Sequence, residues 1–322
     1  MTQLDLAEGS RAHHLFLRLD ETFEDFLQQL PPGVAELARQ QAAYYGNFNN
    51  EPFSGLSVLN PVLVATPWLF WECFQELDDK TLLDIAGAGA FYVLASVVLD
   101  HLVDGQASEP GALTIYHQAL YSQAASRYRA VFPTASPFWG HFQRLEDAHL
   151  SGLAAEVYAQ SHPVEFTRQT LATIAHGKVS PITTTLVALS IASGRSEWIP
   201  ALEASLNHIA VASQLLDDIG DWQADFQNRH LTYFLAQLAG AHPWLQAEPP
   251  SLEMLEARLQ ADWTDVIQLK QVMQGLVSSL GAVKGLDCPT WLRYVDGYRT
   301  LTDEHLDRSI KLHLGQVFNQ MH

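Results

Sequence analysis

The amino-acid sequence predicts an all-α protein, a single-domain helical bundle built around apolar central helices. Apolar residues recur at helical spacing along almost the whole chain, while the alternation typical of strands is nearly absent. Hydrophobic residues make up 48% of the 322 residues, which is ample for a sizeable core. Several segments are apolar on every side, so they must be surrounded by other helices.

Proline and glycine separate the predicted helices from one another. The first break is Pro31-Pro32-Gly33, the next runs from Gly105 to Pro110, and later breaks fall at Gly194 and Pro249-Pro250. No linker is long or polar enough to require a domain boundary, so residues 1–322 are predicted to form one domain. In chain order the predicted helices cover residues 15–30, 34–45, 61–77, 80–103, 112–131, 137–158, 164–193, 201–227, 232–238, 252–283 and 289–318.

Charge and cysteine content narrow the classes of function. The formal net charge of −18 argues against nucleic acid or an anionic membrane as the partner. Two cysteines are too few for a disulfide framework, which predicts that the protein is located in the reducing cytoplasm. The N-terminal residues lack the layout of a secretory signal. The apolar windows 55–74 and 85–99 are interrupted or short, so no transmembrane helix is expected.

Two acidic motifs carry the predicted chemistry. Asp100 and Asp104 are spaced i and i+4, so they project from one face of a helix. In the second motif Asp217 and Asp221 are also i and i+4, while Asp218 lies three residues before Asp221 and seven before Asp225. Like charges at this spacing destabilise a bare helix. Two such carboxylate groups indicate hard divalent cations, and Mg²⁺ in particular, which typically bridges to substrate phosphates.

Small residues precede the first motif. Ala95 and Ser96 lie on the same helix as Asp100, with Phe91 and Tyr92 one turn further back and a run of alanine and glycine before them. This pattern has two interpretations. It could form an apolar cavity leading away from a metal site, or it could allow two core helices to pack closely.

The two motifs together resemble those of the class I isoprenoid synthases. Gln214-x-x-Asp217-Asp218-x-x-Asp221 is similar to the second aspartate-rich motif of the trans-prenyl diphosphate synthases. Asp100-His101-x-x-Asp104 is similar to their first motif, with histidine replacing the second aspartate, and also to the first motif of phytoene-type synthases. The role of His101 stays open between a structural hydrogen bond and metal ligation.

The resemblance implies a site that holds a prenyl diphosphate through Mg²⁺, with three ions in the family pattern. It implies that Asp100, Asp104 and Asp218 are catalytic metal ligands, together with Asp217, Asp221 and Asp225. The alternatives to metal ligation are that Asp104 only ends its helix and that Asp225 lies on a solvated polar face. The diphosphate-binding candidates that the resemblance adds are Lys178, Arg229, Arg299 and Gln214.

Pro181 marks a further cavity candidate. A proline inside a helix leaves the carbonyl of the residue four positions earlier, Gly177, without its usual partner. That carbonyl could face the cavity and stabilise a carbocation, or the proline could simply kink the helix. The predicted cavity residues are therefore Phe91, Tyr92, Ser96 and Gly177.

The sequence departs from the chain-elongating synthases in its basic residues. Those enzymes hold a second diphosphate with basic groups near the N-terminus and after the first motif. Here Arg39 and Lys80 are the only arginine or lysine residues between Arg18 and Arg127. An uncompensated buried diphosphate is costly. By this resemblance, the loss of the site predicts a terpene synthase acting on one linear prenyl diphosphate. The small Ala95 and Ser96 near the first motif favour a substrate of C15 or longer.

Three alternatives remain at this point. A prenyltransferase, either chain-elongating or phytoene/squalene-like, would use the same carboxylates and consume a second prenyl diphosphate. A non-catalytic regulatory subunit would be expected to lose its aspartates, and the second motif is intact. A di-iron carboxylate bundle is suggested by Glu146-x-x-His149 but needs a second copy of that motif, which is absent. The family also commonly forms homodimers.

Overall fold

The computed structural model describes residues 8–46, 65–105, 107–163 and 165–320. Every extended regular element in these ranges is a helix, which confirms the predicted fold class. The helices are α1 (Arg11–Gln29), α2 (Pro32–Gly46), α3 (Thr66–Leu69), α4 (Trp71–Phe74), α5 (Asp79–Val103), α6 (Pro110–Val131), α7 (Phe138–Ser161), α8 (Arg168–Ala192), α9 (Ile199–Asn228), α10 (Tyr233–Ala239), α11 (Leu252–Asp262), α12 (Thr264–Ala282) and α13 (Pro289–Gln320).

Side-chain caps fix where several helices begin. Ser10 accepts a hydrogen bond from the backbone N–H of the third residue beyond it, and Asp78 does the same at the start of α5. Thr232 and Ser251 cap α10 and α11 in the same way. Each cap satisfies a backbone donor that the helix itself leaves unpaired.

Two predicted helices are broken in the structure. The prediction for 61–77 lies partly outside the described residues, and its described part forms the short helices α3 and α4, separated at Phe70. The predicted helix 252–283 is split into α11 and α12 because Trp263 adopts the left-handed conformation, with φ of 55°. The Trp263 ring stacks on His313 at a centroid distance of 4.8 Å. This distant contact favours a break that local periodicity does not show.

The chain divides into two compact units. One comprises the described residues of Met1–Asp147, Ser180–Leu202 and Gly285–Leu292, and the other those of Ala148–Val179, Glu203–Lys284 and Arg293–His322. Each unit is assembled from separate stretches of chain, so neither is a continuous segment. The prediction of one domain over residues 1–322 stays a prediction.

In the first unit, α5 supplies fourteen buried residues and packs closely against its neighbours. A Cβ atom added at Gly89 would lie 2.1 Å from Thr185 Oγ1, and one at Gly87 would lie 3.3 Å from Arg127 Nη1. Glycine at these two positions therefore serves close helix packing. Of the two interpretations of this small-residue stretch, close packing accounts for Gly87 and Gly89.

The second unit contains an even closer helix crossing, between α7 and α8. A Cβ atom at Gly152 would lie 2.8 Å from the Cα of Gly177, and one at Gly177 would lie 2.7 Å from the Cα of Gly152. His149 Nδ1 lies 3.1 Å from the Gly177 carbonyl oxygen. Since a carbonyl only accepts, Nδ1 carries the proton and donates. The carbonyl that Pro181 releases thus finds a partner within the protein.

Helix α5 is the one described helix that is long and apolar enough to cross a membrane. The protein interior buries 78% of its most apolar 18-residue window. That degree of burial is typical of the core helix of a globular protein.

Candidate active site

The second acidic motif lies in the C-terminal half of α9, and its four carboxylates have different surroundings. Asp218 is 2% exposed, Asp225 is half-buried, and Asp217 and Asp221 reach solvent. The sequence places the four within three successive turns, but the helix directs Asp218 towards the protein and leaves the others more open. The four residues therefore do not form one equivalent set of ligands.

Asp218 is held by hydrogen bonds to both of its carboxylate oxygens. Gln214 Nε2 donates to Oδ1 at 2.8 Å, and the backbone N–H of Tyr233 donates to Oδ2 at 3.1 Å. Tyr233 is the first residue of α10, so Asp218 fixes the start of that helix. Burial raises the pKa of Asp218 to about 7, although the hydrogen bonds from Gln214 and the α10 backbone act in the opposite direction. In this arrangement Gln214 binds Asp218.

Asp217, Asp221 and Asp225 repel one another along the open side of α9. Partial loss of solvation, followed by the charge of Asp221, raises the pKa of Asp217. Burial is also the main cause that raises the pKa of Asp225 to about 6, with contributions from Asp221 and Asp217. The structure thus concentrates negative charge that the protein itself only partly neutralises. A divalent cation at this face would relieve that repulsion.

Two basic side chains oppose this negative charge. Lys178 lowers the pKa of Asp217, and His230 lowers the pKa of both Asp217 and Asp225. Lys178 was predicted from the sequence, whereas His230 was not. No short motif marks His230, because its position depends on the turn that follows α9.

Lys178 has a buried acidic partner that the sequence also did not indicate. Its Nζ lies 2.9 Å from Glu156 Oε1, and the side chains are 30% and 9% exposed, respectively. Glu156 is on α7 and Lys178 on α8, next to the Gly152–Gly177 crossing that brings these helices together. Lys178 therefore lies between a buried glutamate and the acidic face of α9.

Residues 229–233 form a tightly held turn between α9 and α10. Arg229 has φ of 57°, the His230 N–H donates to the Asp225 carbonyl at 2.8 Å, and the Arg229 N–H donates to the Phe226 carbonyl at 3.3 Å. This pair of bonds is a Schellman motif, whose left-handed position is usually glycine. The exposed Arg229 side chain makes no hydrogen bond or ion pair with the described part of the chain.

Gln160 holds the same turn from α7. Its Nε2 donates to the Leu231 carbonyl at 3.1 Å, and its Oε1 accepts from the Leu231 N–H at 2.7 Å. A cavity of about 10 Å³ lies beside this turn, lined by Glu156, Asp218, His230 and neighbouring apolar residues. It has room for one water molecule at most.

The first motif lies at the C-terminal end of α5, within the other unit. Asp100 and Asp104 are both half-buried, and Asp104 is the C-cap, with its backbone N–H donating to the Asp100 carbonyl at 2.9 Å. Gly105 follows with φ of 68°. Carboxylates are unfavourable at this end of a helix, where the dipole prefers cations. Two of them there favour a role in binding a cation, and His101 in the same turn is the favourable basic residue.

The predicted cavity residues of α5 lie within packed aromatic surroundings. Phe91 is fully buried, with its ring centroid 4.9 Å from that of Phe26. Tyr92 is 3% exposed and stacks on Phe142 at 5.5 Å, and burial raises its pKa. Ser96 Oγ donates to the Val93 carbonyl at 2.7 Å. These contacts account for their burial within the first unit.

The remaining two candidates have structural surroundings of their own. Gly177 is fully accounted for by its contact with Gly152 and its bond to His149. Arg299 forms an exposed ion pair with Asp296 at 2.7 Å, with side chains 45% and 54% exposed. The diphosphate role of Arg299 stays a prediction, and an ion pair of this kind contributes little to stability.

Within the described ranges, no group of three or more histidine, cysteine, aspartate or glutamate side chains is arranged to hold a metal ion. This does not disagree with Mg²⁺, which keeps several waters and is usually bound by one or two carboxylates plus substrate phosphates. The open, mutually repelling carboxylates of α9 fit such a partial ligand set. They do not fit a metal cage made by the protein alone.

Comparison with known proteins identifies the fold through structure rather than sequence. No protein-family model and no curated sequence matches the chain. Octaprenyl pyrophosphate synthase from Helicobacter pylori is similar in structure, with a TM-score of 0.67, 13% identity, and coverage of 88% of this chain and 98% of that one. Geranylgeranyl pyrophosphate synthetase from Geoglobus acetivorans has a TM-score of 0.68 and 14% identity, over 93% and 99% of the two chains. Polyprenyl synthetase from Streptomyces coelicolor has a TM-score of 0.66 and 15% identity, over 91% and 97%.

The protein has an all-helical fold similar to that of these structures, in agreement with the fold predicted from the sequence. Its structural neighbours are, by their names, prenyl diphosphate synthases.

Proposed function

We propose that this protein is an enzyme that binds a linear prenyl diphosphate with Mg²⁺ and ionises its allylic carbon–oxygen bond. The observation that carries this proposal is the cluster formed by Asp217, Asp221 and Asp225. Burial, together with repulsion from the neighbouring carboxylates, raises the pKa of Asp217 and Asp225. In a prenyl synthase fold, the chemistry that relieves this repulsion is binding of Mg²⁺ together with diphosphate.

The residues proposed to hold Mg²⁺ are Asp100 and Asp104 from one motif and Asp217, Asp221 and Asp225 from the other. Asp218 is assigned a supporting role, because both of its oxygens already accept hydrogen bonds. When bound, Mg²⁺ neutralises the charge that develops on the leaving diphosphate. That three ions bind is part of the proposal.

Basic groups would complete the diphosphate site. Lys178 lies close to Asp217, so its ammonium group could pair with a diphosphate oxygen while retaining Glu156. Arg229 offers an exposed guanidinium on a fixed turn, which suits bidentate contact with phosphate oxygens. His230 is added to this set because it opposes the charge of Asp217 and Asp225.

The fate of the resulting carbocation distinguishes two candidate functions. The names of the structural neighbours favour prenyl transfer, in which a second isoprenoid unit captures the cation. The second candidate is the terpene synthase that the sequence favours, and the basic residues support it. Lys80 is paired with Asp84 at 2.7 Å, and Arg39 is the only other lysine or arginine between Arg18 and Arg127.

One incubation series tests the proposal and separates its two forms. Purified protein with Mg²⁺ is incubated with C10 to C25 prenyl diphosphates, with and without isopentenyl diphosphate, and products are identified by mass spectrometry. A longer diphosphate formed only with isopentenyl diphosphate, or a condensed product from two prenyl diphosphates, establishes prenyl transfer. A hydrocarbon or alcohol from a single substrate establishes a terpene synthase. If no prenyl diphosphate is consumed, the catalytic proposal is wrong and a regulatory subunit is favoured.

A matched pair of variants ties the activity to the acidic cluster. Asp217→Asn removes one charge from the proposed ligand set, and we expect activity to fall by 100-fold or more, roughly the loss of one charged contact to the transition state. Asp307→Asn removes the same charge from an exposed ion pair with Lys311 on α13. This control should retain full activity. Equal activity in both variants would exclude the α9 cluster from the reaction.

A further inference from the structure

The only two cysteines of the chain lie beside each other in the first unit. Cys73 belongs to α4, and Cys288 immediately precedes α13, so 215 positions separate them in sequence. The two thiol groups interact with each other, and this interaction raises the pKa of Cys73. The Cys73 Sγ also lies 3.4 Å from the carbonyl oxygen of Asp287, the residue just before Cys288.

Neighbouring contacts fix the two segments against each other. Phe70 stacks on Trp291, with ring centroids 4.6 Å apart and planes inclined by 26°. The Thr290 hydroxyl donates to Glu72 Oε1. These contacts flank both cysteines, so the two segments that carry the thiols are held next to each other in the folded chain.

We propose that Cys73 and Cys288 form a reversible intramolecular disulfide when the protein meets a low-molecular-weight disulfide such as glutathione disulfide. Cys73 is half-buried and Cys288 is fully buried, so the oxidant reaches Cys73 first. The Cys73 thiol exchanges with the oxidant, which forms a mixed disulfide and releases one small thiol. The Cys288 thiol then attacks the Cys73 sulfur and releases the second small thiol. Overall, two protein thiols are oxidised and one small disulfide is reduced to two thiols.

The surroundings of the pair determine how the reaction depends on conditions. Interaction with the neighbouring thiol of Cys288, together with burial, raises the pKa of Cys73. Since the thiolate is the nucleophile, closure should be slow at neutral pH and faster in alkaline solution. The new bond would join α4 to the beginning of α13 and close a loop of more than 200 residues. Such a long loop restricts the unfolded chain strongly.

The test compares the full-length protein after treatment with glutathione disulfide or with dithiothreitol. Oxidised protein should show no titratable thiol in denaturant, a mass lower by two hydrogens, and monomeric migration on a non-reducing gel. Its melting temperature should be higher by roughly 5 °C or more. Dithiothreitol should reverse all of these changes.

Two single variants identify the order of the steps. Cys288→Ser should stop at the mixed disulfide and retain one glutathione on Cys73. Cys73→Ser should keep one unmodified, buried thiol, and neither variant should gain thermal stability on oxidation. The proposal is overturned if the oxidised native chain retains two thiols, ends with glutathione on Cys73, or forms disulfide-linked dimers. A disulfide that lowers the melting temperature would also overturn it, because the thiols would then not be positioned for closure.

Discussion

Replacing Arg229 by glycine should make the protein more stable and less active. Arg229 holds the left-handed position of the Schellman motif that ends α9, with φ of 57°. An L-residue in this conformation costs about 1 kcal/mol, which glycine does not incur. The exposed guanidinium makes no hydrogen bond or ion pair within the described ranges that would offset this cost. We therefore expect the free energy of unfolding to rise by about 1 kcal/mol in urea denaturation.

The same substitution removes the proposed contact to diphosphate. A charged hydrogen bond of this kind contributes about 1.5–3 kcal/mol, so kcat/KM should fall roughly 10- to 100-fold. Arg229→Lys is the matched control, since it keeps both the backbone strain and the charge. It should leave stability unchanged and retain more activity than Arg229→Gly. An unchanged or lower stability of Arg229→Gly would refute the strain argument, and full activity would refute the role in diphosphate binding.

Three further predictions follow from single contacts of the second unit. The pKa of Asp218 rises from 3.8 to about 7 on folding, so the folded state binds a proton that the unfolded chain releases. The free energy of unfolding should therefore fall by up to about 4 kcal/mol as pH rises from about 4 to about 7. Urea denaturation in the presence of a metal chelator should show this fall across the same pH range. The Asp218→Asn variant should lose most of the pH dependence, and an equal pH dependence in the two proteins would contradict the assignment. Lys178→Met leaves the buried Glu156 without this cation and should lower the free energy of unfolding by about 2–3 kcal/mol. Adding Glu156→Gln to this variant should restore most of the lost stability but not the activity. A double variant as unstable as the single one would contradict this pairing. Gly177→Ala places a Cβ 2.7 Å from the Gly152 backbone and should lower the free energy of unfolding by about 3 kcal/mol. Gly140→Ala, with open space around its Cβ, is the control and should be neutral or slightly stabilising. Thermal denaturation of both variants measures the difference.

The helices were predictable because their signals are local. Apolar spacing and capping residues act within one or two turns, so most predicted helices agree with the structure to within a few residues. At Trp263, local signals are not sufficient to predict the structure. Nothing in the residues around it interrupts the helical pattern, and its left-handed backbone accompanies a ring contact with His313, fifty positions away.

The acidic motifs were also predictable, because carboxylate spacing on one helix can be read directly from the sequence. Their surroundings were not. Asp218 bonds to the backbone of Tyr233, and Lys178 pairs with Glu156 from another helix. His230 opposes the cluster only because the turn after α9 brings it back. These contacts depend on how distant segments pack, which no local pattern encodes.

The distinction between prenyl transfer and terpene synthesis illustrates a different limit. Both reactions begin with the same ionisation, so both need the same carboxylates and the same fold. Fold similarity at 13–15% identity therefore identifies the scaffold but not the fate of the carbocation. That fate depends on whether a second diphosphate finds cations to neutralise it, and hence on a few basic residues.

The acidic face of α9 also explains why a folded protein would retain a destabilising feature. Burial and the neighbouring aspartates raise the pKa of Asp217 and Asp225, which weakens the folded state at neutral pH. Replacing any one of them by a neutral residue would relieve repulsion and strengthen the helix. Lys178 and His230 offset only part of the charge, so the remainder is available to an external cation. Under the proposed function, a cluster that is unfavourable alone would become favourable with Mg²⁺ and diphosphate. The stability of this helix would then depend on its ligand, since a ligand that binds only the folded state stabilises it.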